Sequence, residues 1–237
     1  MLPELAGGVA VAGLATWLGF ESMWPTLSLY GRAFTGLPPG SCQLALTYDD
    51  GPNDAATLQL LDVLARHDVK ATFFVLGRFV TEKPRIVRAV AEAGHVLGNH
   101  SWNHPRFIFA SKAEVSSQIE RTQAAIFDAC GVVPTLCRPP YGGRRPGTFH
   151  TLRKLGLEPV TWRVTCYDWR NITGEQVFAH AQRQIKGGDV ILLHDGDQAR
   201  MGADRQHSVE ATDRLITHYK SEGCEFVTVP RMMSLRG

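Results

Sequence analysis

From residue 42 onward, apolar runs of strand length alternate with stretches of helical periodicity. Residues 42–49 (CQLALTYD) predict a buried strand closed by acids. Over residues 54–67, Leu58, Leu61 and Leu64 recur at helical spacing. Residues 71–77 (ATFFVLG) predict a second strand, 84–93 a helix stopped at Gly94, and 95–99 a short third strand. Ser111, with Glu114 three residues on, has the spacing of a capping box and opens a longer helix over 111–129. A short strand over 135–138 precedes the turn-rich PPYGG. A helix over 148–155, a strand over 159–164, a helix over 174–186, a strand over 189–194 (DVILLH), a helix over 207–222 and a strand over 225–229 complete the pattern.

Such alternation implies an α/β fold with a mostly parallel sheet. About seven strands suit a closed or nearly closed barrel, with an open doubly wound sheet as the alternative. The first strand runs into Asp49-Asp50-Gly51-Pro52. Neither phosphate-cradling glycine pattern follows it, which counts against a nucleotide-binding open sheet. The 237 residues suffice for one large domain and are a tight fit for two.

The first forty residues read differently. Residues 5–20 carry no charge and are bracketed by Glu4 and Glu21. The stretch is shorter than the roughly 20 residues of a membrane span, and the basic start of a secretory signal is missing. It reads either as a membrane anchor or as a packed N-terminal helix. The chain is then membrane-associated through residues 5–20 or cytoplasmic, with secretion disfavoured. Arg32, after the stretch, would place the main domain on the cytoplasmic side of a membrane. Residues 31–40, with Pro38-Pro39-Gly40, read as a linker, dividing the chain into 1–40 and a catalytic domain over 41–237.

Composition narrows the function classes. Hydrophobic residues make up 44% and charged residues 20%, an ordinary globular balance. A net charge of +2, with no long basic run, argues against nucleic acid as a partner. Cys42, Cys130, Cys137, Cys166 and Cys224 are odd in number and contain no C-x-x-C pair, which argues against a zinc ribbon and a disulfide scaffold.

The candidate chemistry falls at the ends of predicted strands. Asp49 and Asp50 end the first, His100 the third, Arg138 the fourth and His194 the sixth, while Asp168 follows the fifth. In a parallel barrel the C-terminal strand ends share one face, so these side chains converge. His100 and His104, four apart on one helical turn, would point the same way and could hold one metal. Two surface histidines would show the same spacing. A carboxylate from a neighbouring strand completes a two-His, one-Asp set with open positions for a water. Adjacent aspartates cannot face one way from a regular strand, but at a strand end they can divide the work. One would bind metal and the other take a proton from the water. An Asp-Gly-Pro turn explains Gly51 and Pro52 but not two carboxylates.

Five segments then fall into place together. Thr47-Tyr48-Asp49-Asp50-Gly51-Pro52, His100-Ser101-x-x-His104, Arg138-Pro139-Pro140-Tyr141-Gly142, Asp168-Trp169 and Leu192-Leu193-His194-Asp195 resemble, in order, the five motifs of the polysaccharide deacetylase (NodB-homology, carbohydrate esterase 4) family. The resemblance implies a distorted (β/α) barrel and metal-assisted hydrolysis. It implies that Asp50, His100 and His104 bind one divalent ion: zinc, with cobalt, nickel or manganese also suiting the donor set. Asp49 would be the general base and His194 the general acid. The backbone N–H of Tyr141 would hold the oxyanion, and Trp169 and Leu192 would line the pocket for the acetyl methyl. Arg138 could keep Asp49 ionised, and Asp168 could raise the pKa of His194. The chain departs from the family at Thr165, where the fourth motif commonly starts with Asp, and at Tyr48, where Phe is usual.

The expected activity is removal of N-acetyl groups from an amino-sugar polymer, oligomer or lipid-linked glycan. A deformylase or other amide hydrolase acting on a non-glycan substrate is the alternative within the family. An inactive sugar-binding barrel would have lost Asp49, a metal ligand or His194, and all are present. His67, His150, His180, His207 and His218 fall on predicted helices or their ends and read as solvated, and His95 begins a strand. Trp102 lines the cleft or packs. Arg144-Arg145 read as a solvated loop, with a contact to a phosphate or an acidic sugar as the alternative. The polar loop 195–206 is expected to shape substrate access.

Overall fold

The long first strand, β1 (Gln43–Gly51), is buried along nearly its whole length, so both of its faces need cover. Leu44, Leu46 and Tyr48 join one apolar cluster, whereas Ala45 joins another. Period-two alternation therefore sorts β1 into a helix-facing side and a side that faces the interior of a curled sheet. Thr47 and Asp49 share the interior parity with Ala45. The computed structural model describes Trp17, Gly19 and residues 22–236.

The other strands are β2 (Thr72–Val75), β3 (Val96–Asn99), β4 (Leu136–Cys137), β5 (Glu158–Pro159), β6 (Val164–Thr165), β7 (Val190–His194) and β8 (Glu225–Phe226). They run parallel in the order β5-β4-β3-β2-β1-β7-β6, with β8 paired to the start of β1. Helices α1 (Thr57–Arg66), α2 (Gly77–Glu82), α3 (Pro84–Glu92), α4 (Lys112–Cys130), α5 (Thr148–Lys154), α6 (Gly174–Gln182), α7 (Gln206–Ser221) and α8 (Val229–Ser234) connect and cover them. The expected distorted barrel is the architecture found. The capping box at Ser111 and Glu114 forms, and a second one, Thr173 with Gln176, opens α6.

Several boundaries differ from the sequence reading. The strand expected over 159–164 is two short strands, because the chain leaves one end of the sheet at β5 and rejoins the other at β6. The seam between them is filled by residues read as a linker. Phe34 N–H donates to Pro159 O at 2.8 Å, Thr161 N–H to Phe34 O at 2.9 Å and Leu37 N–H to Gly188 O at 2.8 Å. Phe34 and Leu37 are buried in the interior cluster, so apolar side chains in a proline-rich segment mark a seam filler here. The short helices α2 and α8 replace the ends of predicted strands. α8 is opened by the Thr228 hydroxyl, with Pro230 in its first turn.

The apolar stretch 5–20 lies outside the described residues except for Trp17 and Gly19. Among the described residues, no helix is long and apolar enough to cross a membrane. The five cysteines form no disulfide, and Cys137 and Cys166 are buried.

Candidate active site

Two neighbouring carboxylates reach one site through a bulge. β1 pairs with β2 up to Asp49 opposite Phe74, then slips so that Gly51 stands opposite Val75. Asp50 is the extra residue, with φ 71°. A bulge of this kind re-aims the side chain that a regular strand would send to the other face. Asp49 Oδ2 and Asp50 Oδ1 each lie 3.6 Å from His100 Nε2. Gly51 permits the turn, since a Cβ there would collide with the Asp195 carboxylate.

The two histidines do not share a helical turn. They stand on an irregular loop after β3, with Ser101 at φ 74° and His104 at φ 61°. The loop is shaped by side chains. Asn99 Oδ1 accepts Ser101 N–H at 2.9 Å, Ser101 Oγ accepts His104 N–H at 3.1 Å, and Gln118 Oε1 accepts Trp102 N–H at 2.9 Å and Asn103 N–H at 3.1 Å. The helical expectation fails because these local acceptors satisfy the backbone without a helix.

Asp50, His100 and His104 form a group able to hold a metal ion. His104 Nε2 is 3.4 Å from Asp50 Oδ1. Tetrahedral zinc, with bonds of about 2.0–2.1 Å, sets its ligands about 3.4 Å apart. Asp50 Oδ1 is buried without a hydrogen-bond partner in the protein, an arrangement that a cation would satisfy. His100 Nδ1 lies 2.7 Å from the Arg138 carbonyl, which must accept, leaving Nε2 bare toward Asp50. Burial pushes His100 down to about 3 and His104 to about 2, so both are the neutral imidazoles that metals bind. Burial, reinforced by Asp49, pushes Asp50 up to about 7.

On either side of this group stand two charge pairs. Arg138, fully buried, donates to Asp49 Oδ1 at 2.7 Å and to Thr47 Oγ1 at 2.8 Å. Burial nevertheless pushes the Asp49 carboxyl above its ordinary value; the Arg138 charge opposes the rise without cancelling it. His194 Nδ1 lies 2.9 Å from Asp168 Oδ1, while Asp168 Oδ2 accepts the His194 N–H at 2.6 Å and the Ser208 hydroxyl at 2.8 Å. Burial disfavours the imidazolium, but the Asp168 charge and hydrogen bond, with Asp50 and Asp49, raise His194 to about 9. His207, read as solvated, instead places Nε2 2.5 Å from the Asp168 carbonyl, and Arg205 donates to the same oxygen at 3.2 Å.

These groups open on a cavity of about 490 Å³. Asp49, Asp50, His100, His104, Tyr141, Trp169, Leu192 and His194 line it as the sequence suggested, while Arg138 and Asp168 sit behind. Tyr141 has φ 58° and sets its ring 4.4 Å from that of His104. Asp197, Gln198 and Arg205 come from the loop expected to shape access. Met23 and Trp162 were missed: the first lies in the segment set apart as N-terminal, the second in the misread strand 159–164. Trp102 packs beside Gly77 and under Arg121 and is not part of the lining. Arg144, read as solvated, is fully buried, whereas Arg145 is exposed. Thr165 Oγ1 accepts the Trp162 indole N–H at 2.8 Å, and the Tyr48 hydroxyl bonds Thr212 at 2.9 Å, so both departures from the family pattern are absorbed by hydrogen bonds.

Comparison with known proteins agrees with the geometry. Residues 38–160 match the family described as polysaccharide deacetylase. The peptidoglycan-N-acetylglucosamine deacetylase PgdA of Listeria monocytogenes is 39% identical over 80% of this chain, which spans 38% of that relative's length. A peptidoglycan-N-acetylglucosamine deacetylase of Bacillus cereus is 36% identical over 86% of this chain and 72% of its own. The crystal structure of the Bc1960 peptidoglycan N-acetylglucosamine deacetylase, in complex with 4-naphthalen-1-yl-N-oxidanyl-benzamide, superposes with a TM-score of 0.79 at 35% identity, covering 84% of this chain and 91% of that one.

Proposed function

The chain belongs to the polysaccharide deacetylase family, and from that premise we propose that it hydrolyses the N-acetyl group of amino sugars in a glycan of the N-acetylglucosamine type. The observation that carries the reading is the meeting, in one cavity, of the Asp50–His100–His104 group with Asp49 and His194. An isolated sugar-binding barrel has no need of that combination.

The roles divide by charge. Asp50, His100 and His104 would hold a divalent ion, zinc as we propose, which would supply Lewis-acid charge for the carbonyl and for acidifying the attacking water. Asp49 takes the proton from that water as its oxygen adds to the amide carbon. Arg138 fixes the Asp49 carboxylate at 2.7 Å through one oxygen, and the other lies 3.6 Å from His100 Nε2. The Tyr141 backbone N–H steadies the oxyanion. His194 gives its proton to the amine nitrogen as the C–N bond breaks, so acetate and the free amino sugar leave. Trp169 and Leu192 offer an apolar wall for the methyl group.

Acetate release from chitooligosaccharides, peptidoglycan fragments, acetylxylan and lipid-linked N-acetyl sugars, with and without chelator, tests the reading. Release from the N-acetylglucosamine substrates, lost on chelation and restored by zinc, is expected. No acetate from any of them would favour an amide hydrolase of a non-glycan substrate. Release that survives chelation would refute the metal-dependent mechanism.

A further inference from the structure

The cavity has a wall that no family motif supplies. Residues 22–27 lie across the turn after β4, and Arg144 and Thr161 bond to their carbonyls. The Arg144 N–H donates to Ser22 O at 2.9 Å. Its guanidinium donates to Trp24 O at 2.8 Å and Leu27 O at 2.7 Å, and reaches back to Gly142 O at 3.2 Å. The Thr161 hydroxyl donates to Pro25 O at 2.8 Å. Arg144 is fully buried, so these carbonyls replace the water its donors have lost.

The strap brings Met23 into the cavity lining. A Cβ on Gly143 would lie 3.6 Å from Met23 Sδ, and one on Gly142 would lie 3.2 Å from the Trp162 ring. Met23 therefore packs against Gly143 and Trp162 against Gly142, directly after Tyr141. Gly142 at φ 65° favours glycine on its own account, and a Cβ on Gly143 would meet the Pro140 carbonyl at 3.1 Å.

We propose that Met23 is a specificity-determining side chain that contacts the body of the bound ligand beyond the scissile group, and that Arg144 is the positioning residue that holds it there. A thioether on a tethered strip gives a polarizable surface able to fit the apolar face of a sugar ring. The sugar part of the proposal rests on the deacetylase reading; the wall itself does not.

Two ligands that bind without turnover separate these claims. Acetohydroxamate reaches only the metal group and its methyl pocket, whereas 4-naphthalen-1-yl-N-oxidanyl-benzamide extends well beyond it. Dissociation constants are measured by calorimetry on the full, zinc-loaded chain. Met23→Ala is expected to weaken the aryl ligand by about five- to tenfold and to leave acetohydroxamate within about twofold, with Met23→Leu restoring the aryl affinity. Thr161→Val, which loosens one tether without emptying a buried charge site, should shift the ratio of the two affinities in the same direction. Arg144→Met should do so more strongly where it folds. Equal weakening of both ligands, or of neither, in Met23→Ala would overturn the proposal, as would a wild type that binds only the short ligand. A chain that binds both but releases no acetate from any glycan would refute the deacetylase reading and leave the wall intact.

Discussion

Replacing Asp168 with asparagine removes one charge and almost no volume from beside His194. The carboxylate now accepts from both the backbone N–H and Nδ1 of His194. An amide has a single acceptor oxygen, and the backbone N–H together with the Ser208 hydroxyl would claim it. The amide NH₂ then faces Nδ1, which must be unprotonated to accept. His194 loses the charge, the hydrogen bond and the tautomer that favour the imidazolium, while the burial that disfavours it remains. Its pKa should fall from about 9 to its ordinary 6.5 or below. That is a change of about 3 kcal/mol in the cost of protonating it.

With a general acid of pKa about 9, roughly 90% of the enzyme is competent at pH 8; at 6.5, about 3% is. The variant should therefore lose about 30-fold at pH 8 through protonation alone, yet approach wild type at pH 6. The assay is kcat/KM for acetate release from pH 5.5 to 10, with metal content measured at each end. An ion at Asp50 cancels that carboxylate's share of the shift, so the test is the displacement between the two alkaline limbs rather than their absolute place. Folding stability follows the same proton. The folded-state pKa is raised, so the contribution is complete below 6.5 and lost as pH rises through about 9. A variant whose limb stays near that of wild type, or whose rate falls by one factor at every pH, would refute the reasoning.

Metal affinity should rise about tenfold per pH unit up to about 7 and then level, because binding displaces one proton, from Asp50, while His100 and His104 are already neutral; competition titration against a chelator would show a steeper slope if the histidines held protons too. Asp50→Ala should lose both metal and turnover, whereas Asp49→Asn should lose turnover with metal retained, as read by metal analysis alongside acetate release. Arg138→Met should cost about 3 kcal/mol in chemical denaturation, since it strands the buried Asp49 and removes a bond to Thr47, and should move the acidic limb of the pH profile upward. Asn99→Ala frees the Ser101 N–H and the Ile119 carbonyl, so metal affinity should fall although no ligand is touched.

Much of this site was legible because strand ends are legible. Apolar runs located β1, β3 and β7, and a parallel sheet brings their C-terminal ends together whatever the sequence separation. What the pattern could not carry was local backbone shape. The spacing of His100 and His104 fits a helical turn, yet the acceptors that fold the loop, Asn99 and Gln118, include one 18 residues beyond His100. Residues 31–40 have the composition of a linker; only the seam between β5 and β6 shows why Phe34 and Leu37 are there. Arg144 reads as solvated until the carbonyls of Trp24 and Leu27 arrive from 120 and 117 residues away. Each of these depends on a distant partner, which hydrophobic periodicity does not encode.

The same cause explains where backbone strain collects. Among the described residues, Asp50, Asp68, Ser101, His104, Tyr141 and Tyr167 are the non-glycine residues with positive φ. All but Asp68 stand in the site or next to one of its members. Each such conformation costs on the order of 1 kcal/mol and persists only where its surroundings over-determine it. Two of the five, Asp50 and His104, are themselves members of the group able to hold a metal ion. A regular strand would turn Asp50 away from Asp49, and a regular helix would satisfy the loop's N–H groups without Asn99 or Gln118. The left-handed turn at Asp50 is what brings two adjacent acids to one site. The donor atoms around Asp50 Oδ1 lie 3.4–3.6 Å from it, a spacing that suits one shared ion. Residues that orient the ligands without touching the ion, Asn99 and Gln118 among them, should therefore weigh on metal affinity.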